Sequence, residues 1–282
     1  MSTSVALSVD GMSLSEAMGM SSTPTASTLA RVAQVHNPIT VSIGDDEKIT
    51  VPVGAFKVTM PDGEVVYTRK ASIRVFAQRQ QWQRWDSASE TMNKSLMSNS
   101  LNGDLKDTTG KFNLGRPSGY IEDFQSLPES TKNLIRSIKR VKVTLGMIIL
   151  DNPMDYSGNP LQGYEDEIPF VMDIKNTESM KSLDNALSKI MSKKLTPVEH
   201  TVALSSAKRE LPTGAKYAVL VADLGSKVNF QEQDSATLQD FLNWVEYSNS
   251  YVSQKWQENS SSALSASDAD LVSSIVEVQE AE

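Results

Sequence analysis

Ala71-Ser72-Ile73-Arg74-Val75-Phe76-Ala77-Gln78-Arg79-Gln80-Gln81-Trp82-Gln83-Arg84-Trp85 is the stretch on which the fold turns. Side chains alternate between the two faces of a β-strand. Strict alternation puts Ile73, Val75 and Ala77 on one apolar face, suited to a core. It puts Arg74, Phe76, Gln78, Gln80, Trp82 and Arg84 on the other. That second face interleaves cations, amides and two large aromatic rings. Single-stranded nucleic-acid sites need this mixture, because rings stack on bases while Arg and Lys neutralise phosphates. The competing reading packs Phe76 and Trp82 under a helix, with the arginines at the rim.

Working outward, further strand signals surround this one. Ile39, Val41 and Ile43 alternate, and Ile49 to Val53 runs on through Phe56, Val58 and Met60. Pro61-Asp62-Gly63 supplies hairpin turn chemistry before Val65. Strands are also expected over 142–150, 168–174, 200–211 and 216–224. Ser87 to Gly110 is polar and reads as a mobile loop. Ser126-Leu127-Pro128-Glu129 has capping-box spacing, so a helix is expected from there to about Arg140. Met180, Leu183, Leu187 and Ile190 predict an amphipathic helix over 177–193, and Leu238 to Trp256 a final long one. Hairpin-like strands with inserted helices predict an α+β chain. An OB-like or related small β-barrel with disordered termini is the first choice, and a sandwich fits the same strands. The expected organisation is a flexible arm over 1–40, a β-rich core over 41–256 and an acidic disordered tail over 257–282.

Composition removes several classes of function. The 282 residues contain no cysteine, which excludes disulfides, thiolate chemistry and cysteine zinc sites. The only histidines are His36 and His200, too few for multi-histidine metal centres. No apolar run approaches the ~18 residues that suggest a membrane span. The N-terminus shows no basic region followed by an apolar one, so no secretory leader is expected. Gly110-Lys111 imitates the end of a phosphate-binding loop, but the glycine spacing is wrong and Phe112 stands where a hydroxyl would bind magnesium. The acidic residues between Asp151 and Glu167 do not follow calcium-loop spacing. No catalytic residue, metal or cofactor is expected.

Charge is segregated. The net charge is -8, yet residues 64–145 carry 14 Lys/Arg against 8 Asp/Glu, and residues 223–282 carry 2 against 11. Such asymmetry suits a nucleic-acid surface with an acidic tail, although solvated faces produce it too. Within the basic part, Lys132, Arg136 and Arg140 recur at helical spacing with Lys139 beside them, a cationic stripe with only Glu129 nearby. Gly115-Arg116-Pro117-Ser118-Gly119-Tyr120 offers flexible backbone, a cation and a ring, fit to approach a phosphate and stack on a base.

In order, these features resemble proteins of tailed bacteriophages, in particular marine and cyanobacterial podovirus-like phages, of single-stranded DNA-binding type. The resemblance rests on the aromatic-basic strand, Phe112 to Tyr120, Leu127-Pro128-Glu129, Arg140 to Gly146, Ile168-Pro169-Phe170 and Leu211-Pro212-Thr213-Gly214. It spans about residues 50–256. It implies a non-enzymatic protein of phage replication or recombination in the cytoplasm of the infected host, with no membrane partner. It also implies replication partners docking on the tail that carries Asp268, Asp270, Glu277, Glu280 and Glu282. The chain departs from that layout at Ala281-Glu282, where a terminal aromatic is missing. The expected site comprises Arg74, Phe76, Trp82, Arg84, Arg116, Tyr120, Lys132, Arg136, Lys139 and Arg140. The alternative is a phage structural or assembly protein making protein contacts through the same core.

Overall fold

The 17-residue strand β8 (Lys70–Asp86) organises the molecule. The computed structural model describes residues 8–9, 12–13, 29–43, 46–214 and 216–279. Along one edge β8 pairs antiparallel with β10 (Lys139–Asp151), whose other edge takes β11 (Ile168–Ile174). The sheet continues through β3 (Ala30–Gln34), β6 (Phe56–Thr59) and β7 (Val65–Thr68). The other edge of β8 is shared. Its start holds β12 (His200–Glu210), which carries β13 (Lys216–Lys227), and its end holds β9 (Thr91–Lys94). The nine strands form a mixed sheet, antiparallel except where β11 meets β3. Two small hairpins stand apart, β1 (Ser8–Val9) with β2 (Met12–Ser13), and β4 (Ile39–Ile43) with β5 (Asp46–Val51).

Helices cover both faces. Helix α1 (Glu129–Ser137) leads into β10, α2 (Thr177–Ser192) packs on one sheet face, and α3 (Glu232–Gln279) on the other. Met180, Leu183, Ala186, Leu187 and Ile190 of α2 join the larger core with Ile73, Val75, Ile148, Phe170 and Leu220. Phe241 and Val245 of α3 pack on Ala77, Val141, Val143 and Leu145. The chain is therefore α+β as expected. β13 and β7 end the sheet without pairing to each other, so the expected OB-like closure is not found among the described residues.

Three local expectations change. The segment 29–40, assigned to a flexible arm, includes β3 deep in the sheet, with Ala30 and Val32 buried. Two small apolar residues in a Ser/Thr/Ala-rich background do not stand out as a strand. Residues 87–110 are tied down rather than mobile. Ser98 exchanges two backbone hydrogen bonds with Gln80, and buried Asp107 accepts from the amides of Thr109, Lys111 and Leu114. Helix α3 runs on to Gln279, past residue 257 where a disordered tail was expected to begin. There Trp256 donates its indole N–H to Lys111 O, and Asn259 donates to Thr108 O.

The 61–63 hairpin turn is present. Gly63 has φ +94° and donates to Met60 O between β6 and β7. The expected capping box at Ser126 is not. Ser126 closes a short 3-10 turn, and α1 starts behind Pro128 without a side-chain cap.

Candidate nucleic-acid interface

A single extra residue rearranges the expected stacking face. Opposite Leu145 and Gly146 of β10, the pairing partners are Ala77 and Val75, so Phe76 is the bulged residue. A bulge inserts one residue and shifts the alternation beyond it. Ile73 and Val75 face α2, but Ala77 faces α3. Arg74, opposite Met147, lies on the α3 face. Trp82, opposite Arg140, shares the α2 face with Gln80, which lies opposite Lys142. Lys142 fixes that assignment, because its Nζ pairs with Asp184 of α2. Gly146 permits the close approach, since a Cβ there would sit 2.0 Å from Arg74 O.

Arg74 and Phe76 therefore leave the expected site. Arg74 is 5% exposed and held by Asp234 at 2.7 Å, Glu167 at 3.0 Å and the Val198 carbonyl at 3.1 Å. Its charge is spent on anchoring α3 to the sheet. The Phe76 ring tilts against Phe241 with centroids 5.5 Å apart. Arg84 stays on the Trp82 face, half-buried opposite Asn93 of β9.

The basic stripe also breaks up. α1 ends at Ser137, and Lys139 and Arg140 open β10. The β-branched run that follows favours strand over helix. Lys132 and Arg136 both reach Glu129, at 3.7 Å and 2.9 Å. Arg136 also lies over the Phe124 ring. Lys139 Nζ donates to the Arg136 carbonyl.

Four of the expected residues do come together. Trp82, Arg116, Tyr120 and Arg140 line one open cleft of about 390 Å³ on the α2 face of the sheet. Gln80, Asn99 and Asn102 complete its rim. Trp82 is the wall rather than a platform. It is 9% exposed, packed with Leu114 and Ile138, and capped by the Arg116 guanidinium 4.6 Å from the ring centre. Its indole N–H is buried and has no hydrogen-bond partner among the described residues. Tyr120, by contrast, is 91% exposed. Arg140 projects from β10 and donates from Nε to Gln80 Oε1 at 3.0 Å.

The loop that delivers Arg116 is preorganised. Asn113 and Leu114 both have left-handed backbone, at φ 54° and 60°, which costs of order 1–3 kcal/mol each in non-glycine residues. Asn113 compensates by accepting from the Leu105 amide and donating to Gly103 O, while Asp107 accepts from the Leu114 amide. Partial burial pushes the Arg116 pKa down, yet the guanidinium stays charged. Gln80, Asn99 and Asn102 were missed as site residues. Gln80 belonged to the right strand face. The two asparagines were visible only as a polar run.

Comparison with protein-family models, with curated proteins and with solved structures finds no match for this chain. No helix among the described residues is long and apolar enough to cross a membrane.

Proposed function

We propose that the chain is a non-enzymatic single-stranded DNA-binding protein that engages the strand at the Arg116–Tyr120–Arg140 cleft. One observation carries this reading. A fully presented tyrosine ring stands beside two guanidinium groups in an open cleft rimmed by amides. A base stacked on Tyr120 would leave its flanking phosphates within the field of Arg116 and Arg140, and the amides suit base edges or sugar oxygens. Lys132, Arg136 and Lys139 do not line this cleft and are left out of the proposed site. The setting in phage replication or recombination, in the infected host's cytoplasm, rests on the sequence resemblance, as does recruitment of replication proteins through the acidic C-terminal region.

The test is an anisotropy titration of a labelled oligothymidylate with wild-type protein and Tyr120→Ala. Loss of the ring should weaken binding by roughly 1–3 kcal/mol with the fold intact. No binding at low salt, or equal binding by the variant, would overturn the reading and favour a structural or assembly role.

A further inference from the structure

A second groove of about 630 Å³ lies on the opposite face of the sheet, under α3. Trp244, Tyr247 and Tyr251 line it from the helix, spaced so that they share one face. Tyr247 and Tyr251 are about half exposed, at 52% and 54%. Facing them are Arg31 of β3 and Lys94 of β9, with Lys255 further along the helix and Asp173 of β11 as the acidic side chain in the lining. Lys255 is itself paired with Glu258 at 2.8 Å.

The floor combines apolar Val143, Val171 and Met97 with polar side chains that are already hydrogen-bonded. Gln83 donates to both Gln81 Oε1 and Asp173 Oδ2 at 2.9 Å, and Gln81 donates to Ser95 O at 2.8 Å. Asp173 is thereby engaged in the floor. Lys94 is left short of counter-charge: among the described residues its Nζ forms no salt bridge. Burial lowers its pKa, Asp173 opposes that effect, and Arg31 and Lys175 add to it. An anion entering the groove would relieve this cluster.

These features select the occupant. A purely apolar guest would use the rings and leave Arg31 and Lys94 without counter-charge. A cation would meet surplus positive charge. A neutral sugar would use the rings and leave Arg31 and Lys94 unmatched. A planar base joined to a phosphate satisfies both sides at once. We propose that this groove is a second nucleotide-binding site, with the base against the Tyr247–Tyr251 face and the phosphate between Arg31 and Lys94. It is built from residues separate from the Arg116–Tyr120–Arg140 cleft, and it stands or falls independently of that reading.

The full chain is titrated with two probes, thymidine 5′-monophosphate and a twelve-residue oligothymidylate. Lys94→Met and the double variant Tyr247→Ala/Tyr251→Ala are each expected to weaken at least one probe fivefold or more, with wild-type circular dichroism. Loss for the oligonucleotide alone identifies the occupant as one unit of a strand. Loss for the monophosphate as well identifies free nucleotide as a ligand. A control, Arg116→Ala/Arg140→Ala, separates the two sites: loss there with none in the groove variants removes this proposal and leaves the cleft. Photo-crosslinking of a 5-iododeoxyuridine oligonucleotide to the wild-type chain needs no variant to fold, and should mark Trp244, Tyr247 or Tyr251. Unchanged affinities for both probes, no binding of either, or crosslinks confined to other regions overturn the proposal.

Discussion

Arg74 and Trp82 lie on the same strand yet on opposite faces of the sheet, because Phe76 between them is a bulged residue without a partner of its own in β10. Arg74 is consequently a buried anchor for α3, and Trp82 is the wall of a cleft on the other side. Both were expected on one surface.

Trp82→Ala should cost stability before it costs binding. The ring is packed with Leu114 and Ile138, and truncating a buried Trp typically costs about 3–5 kcal/mol. Trp82→Phe keeps a ring under Arg116 and removes the buried N–H that has no partner among the described residues. Its loss should be much smaller. Urea denaturation of both variants checks this. Equal, small losses would show that the ring is not part of the core.

Arg74→Met leaves Asp234 buried without its 2.7 Å partner, and breaking a buried pair this way costs roughly 3–5 kcal/mol. Adding Asp234→Asn to the variant should recover part of that loss. A double-mutant cycle measures it, and strict additivity of the two substitutions would contradict the anchoring role.

Gly146→Ala tests the bulge itself. The new Cβ would press on the Arg74 carbonyl, a backbone atom that cannot turn aside. A loss of about 1–3 kcal/mol is expected from such overpacking. A variant as stable as wild type in thermal melts would mean that β8 and β10 separate freely at this point.

Lys94 gives a pH-dependent prediction. Burial holds its pKa below the ordinary lysine value in the folded protein. At neutral pH the group is charged in both states, and its desolvation opposes folding. As pH rises through the folded pKa, the native state releases its proton first, and the cost disappears by the unfolded value of about 10.4. Lys94→Met should therefore be more stable than wild type at pH 7, with the advantage shrinking toward pH 10. A variant less stable at pH 7 would show that the ammonium is well compensated.

The strands and helices with strong periodicity were legible in the sequence. Residues 168–174 form the strand expected, and the 177–193 helix ends one residue early. Their Met180–Leu183–Leu187–Ile190 spacing and β-branched runs state their own period. The β8 bulge was not legible. Nothing in Val75-Phe76-Ala77 announces an extra residue, and the Gly146 that allows it lies in another strand. The end of α1 was missed for a related reason. Lys139 and Arg140 continue a helical charge pattern, while the Val141–Leu145 run that draws them into β10 is a tertiary pairing. In the site, Arg116, Tyr120 and Arg140 could be named from their chemistry. Their convergence depends on the Asn113–Leu114 turn, whose left-handed backbone no glycine signals.

The most direct measurement of the central claim is the salt dependence of oligothymidylate affinity for wild type and Arg116→Ala/Arg140→Ala. Each phosphate contact to a single strand contributes about 0.7 to the slope of log K against log salt. If both guanidinium groups meet phosphates in the cleft, the double variant should bind more weakly at low salt, and its slope should be shallower by about 1.4. Superimposable salt series for the two proteins would contradict the account.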